Sequence, residues 1–309
     1  MSSQKKIGLA LGSGSARGLS HIGIIKELSK LGIEPDIVCG TSVGAMVGAA
    51  YVKGNMKGLE EWALSLTKLD VAKFVDINTS MKGFVDVQRF HTFLNDYIAS
   101  DDDNIETLSK IFASVATDMY SGREIWMTEG SLIQAVWSSM SFPGLFPAIR
   151  NDGRWLTDGG LVNPVPVSVC RALGADIVIA VNLNGDIVGR HLDKTGINEI
   201  EKKQKIGITQ KLSELVKEYT NLPFSNDSEP EEEAPSLLNA IAASVNITQD
   251  RITRSRMAGD PADIVISPKL GQIGLLELYR AKEAIEEGER CVQRNSSELE
   301  YILDSMLNR

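Results

Sequence analysis

The chain has 309 residues, of which 43% are hydrophobic and 24% are charged, and its formal net charge is −9. This composition is ordinary for a globular protein with a sizeable core, and the length suits one large domain or two small ones. The negative charge argues against nucleic acid as a partner, because phosphate binding needs a basic face. Three widely spaced cysteines fit neither a disulfide framework nor a zinc site, and they indicate a reducing compartment.

The first 51 residues alternate between strand and helix patterns. Ile7–Leu11 is an apolar run that is too short for the apolar region of a signal peptide. Apolar residues at helical spacing follow, then the apolar run Ile37–Cys39, and Val43–Tyr51 is helical again. Such alternation predicts an α/β fold, in which a mostly parallel central sheet is flanked by helices in three layers. No stretch approaches the ~18 apolar residues of a membrane-spanning helix.

Three later apolar runs predict further strands, because continuous apolar runs suit strands that are buried on both faces. They are Ile111–Ala116, Ile177–Leu183 and Asp263–Ile266. Helices are predicted at Leu275–Val292 and from Ser297 onward, where a serine followed three residues later by glutamate is a capping-box pattern.

Residues 184–236 differ from the rest of the chain. An amphipathic, lysine-rich pattern over residues 197–219 is followed by an acidic run that contains two prolines. We expect a mobile charged insertion, either a solvated surface helix and loop or an interfacial helix that docks on a membrane or a partner. The expected organisation is a catalytic core over residues 7–171, with residues 172–309 completing the same domain.

A glycine- and serine-rich loop, LGSGSARG at residues 11–18, follows the first strand and opens a helix. Backbone N–H groups at such a helix start suit an anion or an oxyanion. A phosphate-binding P-loop would need Gly-Lys-Ser/Thr at its end, and Arg17-Gly18-Leu19 does not supply it. A dinucleotide site fits the glycine spacing but lacks the acidic residue after the second strand. An oxyanion hole for a nucleophile on the next strand is the third use, and the loop alone leaves these open.

The segment Gly40–Gly44 has the G-x-S-x-G spacing of a nucleophile elbow around Ser42. That motif needs a strand before the serine, a helix after it, and the glycines Gly40 and Gly44 to let strand and helix approach closely. The predicted elements supply this context, and the glycine-rich loop lies one strand away. A nucleophilic serine is therefore favoured over a small-residue packing turn.

A nucleophilic serine needs a base, and the chain offers histidines and a carboxylate. Of the histidines, His21 suits helix packing, His91 lies on a helix near the surface, and His191 alone fits the Ser…Asp…His order of hydrolase folds. Asp158 precedes Gly159 and Gly160, so it is either the first residue of a tight turn or a carboxylate presented at a strand end. The residues by themselves leave both bases open.

Four blocks in this order resemble the patatin-like phospholipases, in particular the bacterial branch that is similar to the neuropathy target esterase catalytic domain. They are LALGSGSARGLSHIGIIKEL, IVCGTSVGAMVGAAY, WSSMSFPGLFPAI and DGGLVNPVPV, over residues 7–171, with a weaker match in ADIVISPKLGQIGLLELYRAKEAIEEGE. The resemblance implies a hydrolase with a Ser–Asp dyad and no catalytic histidine. It places the nucleophile at Ser42, the base at Asp158 and the oxyanion loop at residues 13–16, with Arg17 at the family's arginine position.

The expected activity is therefore metal-independent and cofactor-free hydrolysis of acyl esters of the phospholipid or lysophospholipid type. Ser13, Gly14, Ser15 and Val43 are expected to offer N–H groups to the oxyanion, and MSFPGLFP at residues 140–147 to line an apolar entrance. Ser13 and Ser15 replace glycines that the family often has. We expect a cytoplasmic chain with peripheral contact at the inner membrane face. A histidine-dependent acyltransferase and a regulatory protein with a vestigial site are the alternatives.

Overall fold

The computed structural model describes residues 5–74, 87–186 and 237–307. Eight strands in these residues form one sheet, in the order β5-β6-β3-β2-β1-β7-β8, with β4 paired to β3. The strands are β1 Ile7–Leu11, β2 Ile37–Thr41, β3 Ile111–Asp118, β4 Glu124–Met127, β5 Ile149–Asn151, β6 Arg154–Asp158, β7 Ile177–Val181 and β8 Ile264–Ile266.

The centre of the sheet is parallel and one side of it is antiparallel. Strands β3, β2, β1, β7 and β8 pair in parallel. Strands β4 and β6 both run antiparallel to β3, and β5 runs antiparallel to β6. The prediction of a mostly parallel central sheet flanked by helices is confirmed.

Helices cover both faces of the sheet. They are α1 Ser20–Lys30, α2 Val43–Lys53, α3 Met56–Ser65, α4 Lys68–Phe74, α5 Val87–Tyr97, α6 Leu132–Met140, α7 Val167–Ala172, α8 Leu237–Gly259, α9 Ala281–Arg294 and α10 Ser296–Leu307. No helix of the described residues is long and apolar enough to cross a bilayer.

Two apolar cores lie on opposite sides of the sheet, because successive side chains of a strand point to opposite faces. On β1, Leu9 and Leu11 belong to the larger core, which α1, α2, α6 and α9 complete. Ala10 belongs to the smaller core, which the α7 side completes. Every residue of β1, β2 and β7 is buried, as the continuous apolar runs predict.

Several boundaries differ from the sequence prediction. Strand β7 ends at Val181 rather than Leu183, since Leu183 lies in the loop that follows the sheet. The helix expected from Leu275 begins at Ala281, after a 3-10 turn at Leu278–Arg280. The predicted lysine-rich helix and most of the charged insertion, residues 187–236, lie outside the described residues.

Helices α1 and α9 pack closely enough that glycine is required at their contact. A Cβ on Gly23 would overlap the carbonyl oxygen of Ile285, and a Cβ on Gly288 would overlap the carbonyl oxygen of Ser20. Since this contact closes the larger core behind β1, it also supports the segment that carries the glycine-rich loop.

We expect Gly23→Ala to lower the free energy of unfolding by about 1–3 kcal/mol, because backbone must move to admit the methyl group. Gly58→Ala in α3 is the matched control, since a Cβ there would meet nothing nearer than Tyr97 Cδ1 at 3.9 Å. That control should stabilise the protein by up to about 1 kcal/mol through helix propensity. Urea unfolding measures both, and equal effects of the two changes would contradict the close contact.

Candidate active site

The site forms where β2 and β6 end head-on against the same edge of β3. Strand β2 runs parallel to β3 until Thr41 pairs with Val115, and β6 runs antiparallel to it until Asp158 pairs with Ala116. Strand β4 pairs with residues 114–117 and so occupies the opposite edge. Ser42, the residue after β2, therefore meets the last residue of β6.

Ser42 has a backbone conformation that side chains rarely adopt. Its φ is 57° and its ψ is −126°, at the turn between β2 and α2. The turn is tight, because a Cβ on Gly40 would overlap Ala45 and a Cβ on Gly44 would overlap the carbonyl oxygen of Leu11. A strained serine between a strand and a helix has the geometry of a nucleophile elbow.

The elbow is fastened by a serine that the sequence analysis did not identify. The Ser42 N–H donates to Ser139 Oγ at 2.8 Å, and Ser139 Oγ donates to the Val115 carbonyl at 2.6 Å. Ser139 lies on α6 and is fully buried. Only the Ser-Ser pair in WSSMSF hinted at this role, and nothing in the sequence places it beside Ser42.

The side chains of Ser42 and Asp158 are hydrogen-bonded. Ser42 Oγ donates to Asp158 Oδ2 at 2.6 Å, and the Gly160 N–H donates to Asp158 Oδ1 at 2.7 Å. Gly159 allows this turn because a Cβ there would overlap the carbonyl oxygen of Val115. Both carboxylate oxygens are therefore held, and one of them points at the serine.

Burial raises the pKa of Asp158 from 3.8 to about 6, against the lowering effect of the bonds from Ser42 and the Gly160 N–H. Asp158 is 1% exposed, and the structure gives its carboxyl no ion pair with any described residue. Desolvation therefore dominates, as is usual for a buried carboxylate without a cation beside it. Such a group is ionised at neutral pH and is a stronger base than an exposed aspartate.

The glycine-rich loop lies beside the elbow and leaves backbone donors free. A Cβ on Gly18 would overlap the Val43 side chain, so loop and elbow are in direct contact. The N–H groups of Gly14, Ser15 and Val43 have no hydrogen-bond partner in the described part of the chain. Ser15 has a φ of 50°, a backbone conformation that is strained for serine and that glycine would adopt without strain.

Ser13 differs from the other loop residues. Its N–H donates to the Pro164 carbonyl at 2.8 Å, so it is not free for an oxyanion, contrary to expectation. The preceding residue, Gly12, lies close to the carbonyl oxygens of Val181 and Pro164, and this close approach turns the Ser13 N–H toward Pro164. Its hydroxyl donates to Gln249 Oε1 at 3.0 Å.

Arg17 is buried beneath the loop and supports it. Its Nε donates to the Gly14 carbonyl at 3.3 Å, and its Nη2 donates to Asn246 Oδ1 at 2.9 Å and to Asn184 Oδ1 at 3.4 Å. Its partners are neutral amide and carbonyl oxygens, and burial lowers the pKa of its guanidinium to about 10. An arginine 2% exposed in such a setting braces the loop.

Helix α8 supplies buried polar residues that the sequence analysis missed. Gln249 Oε1 accepts from Ser13 Oγ and from Asn184 Nδ2, and the amide of Gln249 lies against Gly160. This side chain therefore touches both the glycine-rich loop and the turn that holds Asp158. The available signal was the spacing of Asn246, Gln249 and Thr253, three polar residues that share one helix face.

Neither of the two described histidines forms a hydrogen bond with Ser42, and the third histidine lies outside the described residues. His21 Nε2 lies 2.8 Å from the Gly12 carbonyl, and burial lowers the pKa of this imidazole to about 4, so it is neutral and supports the loop. His91 is half exposed beside Asp101. His191 lies outside the described residues. In the described residues, no group of three or more His, Cys, Asp and Glu has metal-binding geometry.

The segment at residues 140–147 contacts the site through its backbone. It leads from α6 to β5, and the Ser141 carbonyl accepts from the Asp158 N–H at 3.0 Å. Phe142 and Leu145 are buried, and Phe146 packs against Phe90 with ring centroids 4.7 Å apart. Apolar side chains therefore come immediately after Ser141 in the sequence, and the carbonyl of Ser141 accepts the hydrogen bond from Asp158.

Residues 9–171 match the model of the family described as patatin-like phospholipase. The chain belongs to the patatin-like phospholipase family. It is 28% identical to an uncharacterized NTE family protein of Mycobacterium tuberculosis, over 93% of this chain and 90% of that one. It is 33% identical to human patatin-like phospholipase domain-containing protein 6, over 57% of this chain and 13% of that one.

Among solved structures, VipD from Legionella pneumophila is similar at a TM-score of 0.33 and 14% identity, over 98% of this chain and 79% of that one. The family assignment rests on the match over residues 9–171. Membership of the patatin-like phospholipase family implies hydrolase activity on lipid.

We expect the raised pKa of Asp158 to make folding stability depend on pH. Its native pKa of about 6 lies above its value of 3.8 in an unfolded chain, so its contribution is most favourable below about pH 4 and is lost as the pH rises through about 6. Because the shift corresponds to about 3 kcal/mol, Asp158→Asn should gain stability relative to wild type by up to that amount between about pH 4 and pH 7.

Urea unfolding of both proteins across this range measures the change. Asp118→Asn is the control, because backbone N–H bonds from Tyr120 and Ser121 lower the pKa of Asp118 and give it the opposite dependence. A constant difference between wild type and Asp158→Asn would contradict a buried, desolvated carboxylate.

Proposed function

We propose that this protein is a serine acyl-ester hydrolase of the phospholipase or lysophospholipase type, with Ser42 as nucleophile and Asp158 as base. The observation that carries the proposal is the 2.6 Å hydrogen bond between Ser42 Oγ and Asp158 Oδ2, made by a strained serine to a buried carboxylate. Membership of the patatin-like phospholipase family supports a lipid ester as substrate.

Acylation in this proposal requires one proton acceptor. Ser42 Oγ forms a bond to the ester carbonyl carbon while its proton passes to Asp158 Oδ2. The tetrahedral intermediate then collapses, the bond to the leaving alkoxide breaks, and Asp158 returns the proton to that oxygen. The Gly160 N–H keeps Asp158 Oδ1 occupied, so Oδ2 remains directed at the serine throughout.

Deacylation reuses the same carboxylate. Water takes the place of the alcohol product, Asp158 accepts a proton from it, and the resulting oxygen attacks the acyl carbon of the serine ester. Collapse of the second intermediate breaks the bond to Ser42 Oγ, which recovers the proton from Asp158. A carboxylate with a pKa of about 6 suits both directions, because it accepts a proton readily and also gives it back near neutral pH.

The oxyanion in both intermediates would be stabilised by the free N–H groups of Gly14, Ser15 and Val43. They lie on the loop and at the first turn of α2, where the helix dipole adds partial positive charge. Loss of one such donor typically raises the barrier by about 2.7–4 kcal/mol. Arg17 and Gln249 would act as positioning residues, since both bond to the loop and leave its free donors in place.

Residues 172–309 are proposed to complete the same catalytic unit as residues 7–171. Strands β7 and β8 extend the sheet beyond β1, and α8 places Asn246 and Gln249 against the glycine-rich loop. Truncation after residue 171 would remove β7. The glycine-rich loop would then lose the hydrogen bond that the Gly12 N–H donates to the Val181 carbonyl.

Activity of variants tests the dyad. We expect Ser42→Ala and Asp158→Asn each to reduce hydrolysis of a short-chain p-nitrophenyl ester and of a lysophospholipid by about three orders of magnitude or more. His91→Ala and His191→Ala are the matched controls, and both should retain wild-type rates. His191→Ala also tests the acyltransferase alternative, in which a histidine is the base.

Full activity in Asp158→Asn together with loss in His191→Ala would overturn the dyad. Absence of turnover by the wild-type protein on either ester would favour the regulatory alternative. Thermal unfolding of each variant separates loss of chemistry from loss of folding.

A further inference from the structure

Two β-hairpins carry exposed apolar and aromatic side chains at one end of the sheet. Met119 and Tyr120 form the turn between β3 and β4 and are 54% and 85% exposed, and Trp155 on β6 is 40% exposed. The Met119 N–H donates to the Trp155 carbonyl at 2.9 Å, so these side chains belong to one surface. We use the name hairpin rim for this surface, which comprises Met119, Tyr120 and Trp155 together with the exposed residues Arg123, Arg150 and Arg154.

The hairpin rim lies beyond the same end of the sheet as Ser42. Strand β3 continues past Ala116, which pairs with Asp158, and reaches its turn three residues later at Met119. At about 3.3 Å per residue, the turn stands about 10 Å further along the strand direction than the dyad. The turn between β5 and β6 extends in the same direction, since β6 runs back from it toward Asp158.

Three exposed arginines surround these apolar side chains. Arg150 pairs across the hairpin with Trp155, Arg154 begins β6, and Arg123 follows the turn of the other hairpin. None of the three forms an ion pair with another residue of the described ranges, although the whole chain has a net charge of −9. Three arginines are thus concentrated on one small surface of an acidic protein, and one of them, Arg154, lies close enough to Asp118 to interact with it electrostatically.

Acidic groups on the two hairpins offset this charge only in part. Asp118 accepts the N–H groups of Tyr120 and Ser121 and thereby shapes its own turn. Glu124 is held by Arg256 of α8 at 2.6 Å. Asp152 in the turn of the second hairpin is the remaining exposed carboxylate there.

We propose that the hairpin rim docks the protein on the surface of an anionic phospholipid bilayer. Tyrosine and tryptophan suit the boundary between headgroups and acyl chains, since each has an apolar body and a polar tip. Arginines beside them attract anionic headgroups within a Debye length of the surface. Because Ser42 lies at the same end of the sheet, a bilayer held there faces the site, so the proposal rests on the lipid esterase function proposed above.

Vesicle binding by the full chain with Ser42→Ala tests the docking surface without turnover. Sedimentation is measured with phosphatidylcholine vesicles that contain or lack phosphatidylglycerol. The triple change Arg123→Gln, Arg150→Gln and Arg154→Gln should weaken binding to the anionic vesicles by about fivefold for each arginine. The double change Tyr120→Ser and Trp155→Ser should weaken binding to both compositions.

Matched controls are Tyr301→Ser, whose side chain is 74% exposed on α10, and Arg251→Gln on an exposed position of α8. Both should bind as the parent does. Salt should weaken binding of the parent to anionic vesicles and leave the arginine variant little affected. Circular dichroism confirms that the variants are folded.

Equal binding by the parent and the hairpin variants, or no binding of the parent to anionic vesicles, would overturn the proposal. This failure is distinguishable from failure of the esterase, because hydrolysis of a soluble p-nitrophenyl ester would continue. Conversely, vesicle binding with no hydrolysis of any ester would contradict the proposed esterase function and leave the docking proposal intact.

Discussion

The arrangement of β2 and β6 along one edge of β3 is the constraint on which the site depends. A parallel and an antiparallel strand end head-on there, so the residue after one meets the last residue of the other. Ser42 and Asp158 are 116 positions apart in the sequence, yet Ser42 Oγ lies 2.6 Å from Asp158 Oδ2 because β2 and β6 both pair with β3. The antiparallel hairpins that deliver Asp158 also form the exposed rim beyond it.

Two features of the site oppose folding and are stabilised by their surroundings. A serine at φ 57° is strained, and a carboxylate 1% exposed without a cation is desolvated. Close glycine contacts, the Ser139 hydroxyl and the Gly160 N–H hold both in place. The stabilising contacts come from α2, α6, the glycine-rich loop and α8, so the site is assembled from distant parts of the chain.

Local patterns in the sequence were sufficient for part of this account. The buried strands β1, β2 and β7 follow from continuous apolar runs, and the elbow follows from G-x-S-x-G between a strand and a helix. The choice of Asp158 over a histidine needed the family resemblance, because pairing at 2.6 Å depends on strand register. Ser139, Asn184 and Gln249 were missed since single polar residues acquire such roles only through tertiary packing. The free N–H groups of the loop also depend on packing, which diverts that of Ser13 to Pro164.

Covalent labelling by a fluorophosphonate, followed by mass spectrometry, is the most direct test that Asp158 activates Ser42. The account predicts a single adduct on the peptide that contains Ser42, at a rate that falls as the pH drops through about 6, where Asp158 becomes protonated. Asp158→Asn should abolish labelling at every pH. A labelling rate that Asp158→Asn leaves unchanged, or an adduct that persists in Ser42→Ala, would contradict the account.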